Sequence, residues 1–317
     1  MDGYFCPQNM EELNKRTICP ACGNGLDNVF FTGSERMFGL GGEFPYGECA
    51  RCTAVFIREV PIDLGSYYSG NYYSFREFRQ SGTVGRMLKK MRYKAYQRGI
   101  SLKDPVYFRW LSLLRGKPSD RIADIGCGNG QLLGELSYCG FQTLHGYDPF
   151  LDSSRDYSGF SLRKTDYFDI EERYDILMFH HSLEHLADPA AVFGMLEKIL
   201  NPGGRVLIRV PVTDGQVWKE EREYWFQLDA PRHLFIPSTK SIQLMADRFG
   251  LELYESEFDS LDNQFWGTEL YKRGKPFAGT DIKKEFTSKE LNSFGDKAKL
   301  YNQKQQGDQA CFYLRKR

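Results

Sequence analysis

The chain has 317 residues, a length typical of about two domains. Hydrophobic residues make up 41% and charged residues 26%, which is typical of a globular protein with an ordinary core. Lysine plus arginine equals aspartate plus glutamate at 42 each, so bulk charge does not indicate a general nucleic-acid binder. We find no apolar run of the roughly 20 residues that spans a membrane and no secretory leader. A cytoplasmic location without a membrane span is therefore expected.

Four of the eight cysteines form two closely spaced pairs near the start of the chain. The pairs are Cys19 with Cys22 and Cys49 with Cys52. Thiolates two residues apart bind one ion together, and a second pair completes a tetrahedron. Disulfides are rare in the cytoplasm, and no βαβ pattern that would indicate a redox dithiol surrounds either pair. The spacing predicts a closed, structural Zn²⁺ site in a small β module, with a hairpin through Phe30–Phe44. Four reduced core cysteines are the alternative.

The next segment is rich in tyrosines, which fall in one short stretch. They lie with a phenylalanine at Tyr67, Tyr68, Tyr72, Tyr73 and Phe75. One phenol in this cluster can close over a bound cofactor or line an acceptor site. The alternative is an aromatic packing contact between two domains.

A probable helix follows, and it carries six positively charged side chains. These are Arg86, Lys89, Lys90, Arg92, Lys94 and Arg98. Such a run is usually a solvated face, but it can also attract a diphosphate, an anionic membrane surface or RNA.

From residue 118 onward, short apolar runs alternate with amphipathic stretches. The predicted strands are Arg121–Ile125, Thr143–Tyr147, Tyr174–Phe179, Arg205–Val210, Leu251–Phe258 and Gln309–Leu314. Between them lie helix-like segments at Gln131–Ser137, Ala190–Leu200 and Thr239–Arg248. This alternation predicts βαβ units around a parallel sheet. We expect three parts: a zinc-ribbon-like module at 1–60, a helical and aromatic connector at 61–117, and an α/β domain at 118–317.

A glycine-rich turn connects the first strand of that domain to its first helix. Glycines at positions 126, 128 and 130 let the backbone turn sharply and approach a ligand closely. A helix N-terminus directs free N–H groups at a carboxylate or phosphate. No Gly-Lys-Ser/Thr follows, so a phosphate-gripping loop of the P-loop type is excluded, and the glycine spacing of nicotinamide dehydrogenases is absent.

Two acidic residues follow at spacings that suit a nucleoside. Asp148 ends the second strand, where a carboxylate accepts both ribose hydroxyls. Asp166 can accept from an adenine amino group, while the adjacent Tyr167 covers the ring.

The Asp-x-Gly-x-Gly-x-Gly turn from Asp124, the two acids and the later Asn201-Pro-Gly-Gly together resemble class I S-adenosylmethionine-dependent methyltransferases. The resemblance implies a Rossmann-like seven-stranded α/β sheet whose glycine turn wraps the methionine part of the cofactor. It also implies that Asp124 organises the turn and that Asp148 holds the ribose. The expected cofactor-binding residues are Asp124, Gly126, Cys127, Gly128, Gly130, Asp148, Pro149, Asp166, Tyr167 and His180.

Three of the five histidines lie in one segment after the predicted strand Tyr174–Phe179. His180 and His181 end the strand, and Glu184 and His185 begin the next element. In open α/β sheets, ligands bind beyond the carboxyl ends of the strands, and histidine suits general-base work at neutral pH. His181 is therefore the first candidate base. His185 is expected to cap and pack the helix, because the family often has a Glu-His pair there. A metal site would need a third ligand that the sequence does not show.

A second polar cluster, around Pro231-Arg-His-Leu, resembles small-molecule and sugar methyltransferases of glycan and lipid pathways. Arg232 can pair with an anionic acceptor, His233 can accept a proton, and Trp225 can stack on a sugar. The alternative is a structural loop around a buried arginine. Gln264–Tyr271 is expected to cover the acceptor pocket.

These observations predict an enzyme that methylates a hydroxyl of a sugar, a sugar nucleotide or a lipid-linked glycan precursor. A zinc ribbon ahead of such a domain resembles sugar methyltransferases, and a different branch uses such modules to hold ribosomal RNA. Two alternatives stay open: methylation of ribosomal or transfer RNA, and a non-catalytic scaffold. We expect a small-molecule or glycan acceptor as partner, with peripheral contact to an anionic surface possible and nucleic acid disfavoured.

Overall fold

A computed structural model describes residues 16–68, 81–100 and 103–317. Cys6 and the aromatic residues Tyr72, Tyr73 and Phe75 lie outside the described residues. Among the described residues, no helix has the length and apolarity that crossing a bilayer requires.

Twelve strands form in the described chain, and those of the α/β region agree closely with the predicted ones. The strands are β1 (Val29–Ser34), β2 (Glu43–Glu48), β3 (Val55–Ile57), β4 (Arg121–Ile125), β5 (Thr143–Tyr147), β6 (Arg155–Tyr157), β7 (Phe160–Arg163), β8 (Tyr174–His180), β9 (Leu200–Pro211), β10 (Phe235–Ile236), β11 (Leu251–Phe258) and β12 (Gln309–Lys316).

Nine α-helices lie in the same described residues. They are α1 (Thr83–Gln97), α2 (Val106–Leu113), α3 (Gln131–Cys139), α4 (Pro189–Ile199), α5 (Gln216–Glu221), α6 (Thr239–Arg248), α7 (Asn263–Lys272), α8 (Ile282–Glu285) and α9 (Ser288–Gln303).

The central sheet has the order β11-β12-β9-β8-β4-β5-β7-β6. β7, β5, β4, β8 and β9 run parallel, whereas β12 lies antiparallel between β9 and β11. Its middle strands are buried on both faces, which is why β4 and β8 are almost continuously apolar. Six of the eight strands are those predicted from the sequence, and β7, which was not predicted as a strand, makes up the seven that the resemblance implies. The eighth, β6, is a three-residue edge strand that folds back antiparallel on β7, and its charged residues gave no strand signal.

Two helices next to the sheet's carboxyl edge show how the local sequence sets their ends. Gly130 and Gly140 flank α3 and have φ values of 75° and 100°. These left-handed conformations favour glycine, which has no Cβ to clash. Asp188 caps α4 by accepting from the Ala191 N–H, with Pro189 in the first turn. Capped helices of this kind place their N-termini at the carboxyl edge of the sheet.

A second, four-stranded sheet of order β1-β2-β3-β10 joins the N-terminal module to the α/β region. The predicted hairpin is confirmed: β1 and β2 pair antiparallel from Val29 opposite Glu48 to Ser34 opposite Glu43. β10 then pairs with β3, with Phe235 opposite Phe56. The sequence-based boundary at residue 60 therefore does not separate the two sheets, because β10 comes from the predicted domain 118–317.

Candidate active site

The glycine turn leaves the tip of β4 with three residues in the left-handed region. Gly126, Gly128 and Gly130 have φ values of 73°, 50° and 75°. A Cβ at Gly126 would lie 2.5 Å from the Cβ of Ser182, so any side chain there would collide with the β8–α4 connection. The close approach explains why the turn needs glycine and leaves its backbone open to a ligand.

Asp124 is the penultimate residue of β4, just before this turn, and is almost completely buried. Its Oδ1 has no hydrogen-bond partner within the described residues. Burial and the nearby Asp148 raise the pKa of Asp124 to about 8. A buried carboxylate with an open lone pair is costly unless a donor reaches it, so this oxygen marks a place for a positively charged or N–H-bearing group.

Asp148 follows β5 and holds the glycine turn from the other side. Its Oδ2 accepts from the Gly128 N–H at 3.0 Å, and its Oδ1 accepts from the Phe150 N–H at 2.9 Å. Burial raises its pKa, while the nearby His185 opposes that shift. Asp148 therefore fixes the turn and lies close enough to His185 for the two groups to interact electrostatically.

The other predicted cofactor residues lie on the turns that follow β4, β5 and β7. Asp166 accepts from the Phe168 N–H at 2.9 Å, which sets the short turn carrying Tyr167. The Tyr167 ring packs against the core, and burial raises its pKa. Cys127 faces β5: a Cβ at Gly146 would lie 2.6 Å from its Sγ. Pro149 is half-buried directly after Asp148.

His180 is the last residue of β8, and its ring packs against α2. Its ring lies 4.3 Å from that of Trp110, and its Nε2 has no partner in the described chain. Burial, with Arg209 and His181 nearby, lowers its pKa well below the usual range, so the ring is neutral. Trp110, Phe108 and Leu132 line a cavity of about 560 Å³ that reaches His180.

His181 has both ring nitrogens occupied. Nδ1 lies 3.1 Å from Glu184 Oε1, and Nε2 lies 2.7 Å from an Nη of Arg209. Arg209 only donates, so Nε2 must accept, and Nδ1 carries the proton shared with Glu184. Arg209 is itself anchored on Asp259 at 2.6 Å. The predicted base His181 thus lacks a free lone pair, and its contacts instead orient Glu184.

His185 is half-buried and faces the same space as Asp148. Its Nδ1 lies 2.9 Å from the Arg232 carbonyl oxygen and 3.1 Å from the Tyr68 phenol oxygen. The carbonyl can only accept, so Nδ1 carries the proton and Nε2 keeps its lone pair. The sequence assigned His185 to capping, and the free nitrogen is what that assignment missed.

His233 lies beside His185, with ring centroids 4.9 Å apart. Its Nδ1 donates to the Gln227 carbonyl at 2.7 Å. Burial lowers its pKa to about 4, despite Asp229 3.9 Å from Nε2. The ring is therefore neutral at pH 7, and it is almost fully enclosed. His233, the second candidate base from the sequence, thus has little access to an acceptor.

Arg232 and Trp225 are not presented to a ligand, contrary to the expectation of acceptor contacts. The Arg232 side chain is 0% exposed and donates to Asp229, Glu35 and the Tyr67 carbonyl. Trp225 is also 0% exposed and donates to Asp308 Oδ2 at 3.0 Å. The buried-arginine alternative is the one the structure shows, because every guanidinium nitrogen already has a partner.

Glu184 connects the histidines. It is 0% exposed, its Oε2 has no partner in the described chain, and nearby His181, His185 and His233 lower its pKa. One ligand atom of each of Glu184, His185 and His233 lies within 4.8 Å of the others. Two imidazoles and a carboxylate are zinc-type ligands, and the same three groups can also pass a proton between them.

The four paired cysteines do form a compact cluster. Sγ of Cys19 lies 3.6 Å from that of Cys52, and Sγ of Cys22 lies 3.5 Å from that of Cys49. Thiolates about 2.3 Å from a tetrahedral Zn²⁺ are ~3.8 Å apart. The hydrogen bond from Cys52 lowers the pKa of Cys19 to about 6, which favours a thiolate.

Both cysteine pairs share one backbone pattern. Gly23 N–H donates to the Cys19 carbonyl at 2.9 Å, and Thr53 N–H donates to the Cys49 carbonyl at 2.8 Å. Gly23 and Thr53 both have left-handed φ values, 71° and 61°. Two matching turns around four sulfurs fit a zinc-ribbon-like module.

Comparisons with known proteins agree with this architecture. Residues 102–256 match a protein family described as "Methyltransferase domain". A relative from Campylobacter hominis named "tRNA U34 carboxymethyltransferase" is 31% identical over 115 residues, 32% of this chain and 39% of that protein. A Bradyrhizobium relative named "Ubiquinone biosynthesis O-methyltransferase" is 31% identical over 109 residues, 31% of this chain and 42% of that protein. The match thus spans less than half the length of either relative.

Among solved structures, magnesium protoporphyrin IX methyltransferase from Synechocystis PCC 6803 aligns over 80% of this chain and 99% of its own. The sequence identity is 10% and the TM-score is 0.45. On the sheet order, the glycine turn and the matched family, residues 102–256 belong to the class I S-adenosylmethionine-dependent methyltransferases.

Proposed function

We propose that the chain transfers a methyl group from S-adenosylmethionine to a hydroxyl group of a small acceptor. The observation that carries this proposal is the buried Asp124 carboxylate just before the glycine turn, whose Oδ1 has no partner in the described chain. An ammonium group is the partner that such an oxygen needs, and the methionine part of the donor carries one.

The residues around the turn fit the donor in kind and position. Asp124 and the N–H groups of Gly126–Gly130 would hold the methionine part, Asp148 the ribose, and Asp166 with Tyr167 the adenine. When bound, the donor supplies a methyl group on a positively charged sulfur. The protein's own task is to hold an acceptor oxygen in line and to remove its proton.

His185 is the proposed base, in place of His181 and His233. Its Nδ1 is committed to the Arg232 carbonyl, so Nε2 is free to accept a proton. Glu184, buried with Oε2 unpartnered, lies where it can stabilise the imidazolium. Tyr68 touches the same ring and can hydrogen-bond the acceptor. His181 and His233 act as positioning residues around Glu184.

The acceptor class is argued from the cavity beside His180. Its lining combines apolar Pro105, Phe108, Trp110 and Leu132 with charged Lys89, Arg92 and Glu135, and this mixture suits an amphiphilic molecule. Neither relative's name mentions a sugar. The sequence proposed the hydroxyl of a sugar, a sugar nucleotide or a lipid-linked glycan as the acceptor, and of these an amphiphilic lipid-linked glycan suits the cavity best. A cytoplasmic location of the enzyme is part of the same proposal.

Transfer RNA is the second candidate acceptor. The name of the Campylobacter hominis relative favours it, and the cations of α1 offer a surface for phosphates. The exposed RNA base would then have to reach His185 from the side on which Tyr68 lies.

Calorimetric titration of the zinc-loaded full chain with S-adenosylhomocysteine tests the donor site. We expect binding that Asp124→Asn weakens at least tenfold, because the amide carries no charge to pair with the ammonium. The matched control is Asp156→Asn on the edge strand β6, which should bind as the wild type does. Equal affinity in both variants, or no heat with the wild type, would contradict the proposed donor site.

Radiolabelled S-adenosylmethionine identifies the acceptor class. A cell extract is separated into nucleic acid, lipid and polar small-molecule fractions, and each is offered to the enzyme. Label in the lipid or small-molecule fraction supports the first candidate, and label in the nucleic acid supports the second. Label in none, with binding intact, indicates the non-catalytic scaffold.

A further inference from the structure

Helix α1 presents four large apolar side chains to solvent. Val84, Met87, Leu88 and Met91 are 68%, 57%, 57% and 59% exposed. Their spacing of three, one and three residues puts them on one stripe of the helix. A contiguous stripe of exposed apolar side chains is typical of a surface that binds a partner or a membrane.

The opposite face of α1 is fixed to the body of the domain. Tyr93 is buried with its ring 4.9 Å from Phe108 and 6.3 Å from Phe141. Lys89 forms an ion pair with Glu135 of α3. These contacts set the rotation of the helix, so the apolar stripe faces outward as a consequence of the fold.

Charge identifies the partner. Between positions 83 and 98 the chain contains six lysines and arginines and no aspartate or glutamate. Lys90, Lys94 and Arg98 are exposed and flank the stripe on one side. An apolar stripe edged by cations is the pattern of a helix that lies in the headgroup region of an anionic bilayer. RNA binding would account for the cations but not for four exposed aliphatic side chains.

We propose that α1 docks the protein on an anionic lipid surface, with Val84, Met87, Leu88 and Met91 inserted below the phosphates. The cavity that reaches His180 is lined by Lys89 and Arg92 of the same helix. Because Lys89 is on the face of α1 that packs on the domain, docking leaves the cavity about one helix diameter, ~10 Å, from the bilayer surface. An amphiphilic acceptor then passes around α1 to enter it. Only this last step rests on the proposed function; docking does not.

Flotation of the full chain with vesicles tests the docking. The protein should float with vesicles of equal parts phosphatidylglycerol and phosphatidylcholine, and not with phosphatidylcholine alone. The double variant Met87→Asp/Met91→Asp should bind about tenfold more weakly, because it puts charge into the apolar layer. Lys90→Glu/Lys94→Glu should bind about tenfold more weakly at low salt. The controls are Leu261→Asp and Lys284→Glu/Lys299→Glu, at exposed positions away from α1.

A second measurement needs no variant. Amide hydrogen exchange in residues 83–97 of the wild type should slow when phosphatidylglycerol vesicles are added. Absence of flotation at low salt, or binding unchanged in the Met87/Met91 variant, would overturn the proposal. So would bulk tRNA binding that depends on Lys90 and Lys94 without vesicle binding, or a dimer that Met91→Asp dissociates. Retained S-adenosylhomocysteine binding in every variant separates this result from failure of the donor site.

Discussion

At the end of β8 the imidazoles differ in which nitrogen is free, and this difference can be tested by substitution. His185→Ala should lower kcat by about 10²–10⁴-fold, because it removes the proposed proton acceptor, and should leave S-adenosylhomocysteine affinity within about threefold. The matched control is His145→Ala on β5, where the imidazole hydrogen-bonds Tyr174. Turnover is measured with the extract fraction that accepts label. A kcat for His185→Ala equal to that of the control would rule out the base assignment.

The buried Asp124 carboxylate predicts a specific dependence of stability on pH. Its pKa is raised to about 8 in the folded chain, against about 3.9 when unfolded. The contribution of Asp124 to the free energy of unfolding is therefore present in full below pH 4 and is lost as the pH rises through 8. When the pH is raised from 5 to 8.5, the free energy of unfolding of Asp124→Asn should rise by ~1–3 kcal/mol relative to that of the donor-free wild type. Urea unfolding of both proteins at the two pH values measures this, and a difference that shrinks with pH would contradict it.

The Arg232 cluster should be a determinant of stability and not of acceptor binding. Its guanidinium joins Asp229 to Glu35 with no exposed surface. Arg232→Met leaves two buried carboxylates unpaired and should cost ~3–5 kcal/mol in urea unfolding. Arg315→Met breaks an exposed ion pair with Glu252 and should cause no measurable change. An unchanged free energy of unfolding with a raised KM would instead restore the acceptor-binding role.

The sequence identified those site residues whose partners lie near them in the chain. Asp124 and the glycines form one turn, so their spacing alone indicated a ligand site. Arg232 and Trp225 gain their partners Glu35 and Asp308 from distant parts of the chain. Nothing local shows that such side chains are enclosed. The proposed role of His185 likewise could not be inferred locally, because its free nitrogen depends on the Arg232 carbonyl.

At the scale of elements, the four-cysteine module is coupled to the histidine cluster through β3 and β10. Phe56 of β3 pairs with Phe235 of β10, and β10 starts two residues after His233. If the four cysteines hold Zn²⁺, as their spacing predicts, removing the metal with a chelator should speed amide exchange in residues 55–57 and also in 235–236. The same treatment should lower Tm, because ligand release removes binding free energy from the folded state. One Zn²⁺ per chain is expected by elemental analysis.

Cys52→Ser provides the matched comparison, and Cys139→Ser, at a buried free cysteine on α3, provides the control. Exchange that speeds only in residues 19–52 would show that the two sheets are uncoupled. Retained metal in Cys52→Ser would show that the site is not the one formed by the paired cysteines.

Periodicity identified the main elements because burial repeats along them. β4, β5 and the helix α6 lie where their apolar patterns predicted, to the residue. α9 was missed, although its sequence carries two local signals: a capping box at Thr287 and Glu290, and apolar residues at helical spacing on its packed face, Leu291, Phe294, Ala298 and Tyr301. The pairing of β10 with β3 also could not be predicted from the sequence, because a strand of two residues is too short to show an alternating apolar pattern.

For the whole molecule, the shared sheet predicts that the chain unfolds as one unit. β10 fills the edge of the N-terminal sheet, Tyr46 donates to the His233 carbonyl at 2.9 Å, and Glu35 neutralises part of the Arg232 cluster. A chain beginning at residue 61 would lose all three and expose the apolar side chains of β10. Such a chain should have a lower Tm than the full chain and a tendency to aggregate.

Near-ultraviolet and far-ultraviolet circular dichroism of the full, zinc-loaded chain should then give coincident thermal transitions, because tertiary and secondary structure are lost together. Glu35→Gln in the full chain separates the two causes: it weakens the Arg232 cluster but leaves the sheet intact, so it should lower Tm less than the truncation does. Two resolved transitions, or a shortened chain as stable as the full one, would mean that the N-terminal module folds independently. The predicted boundary at residue 60 would then be a true domain boundary.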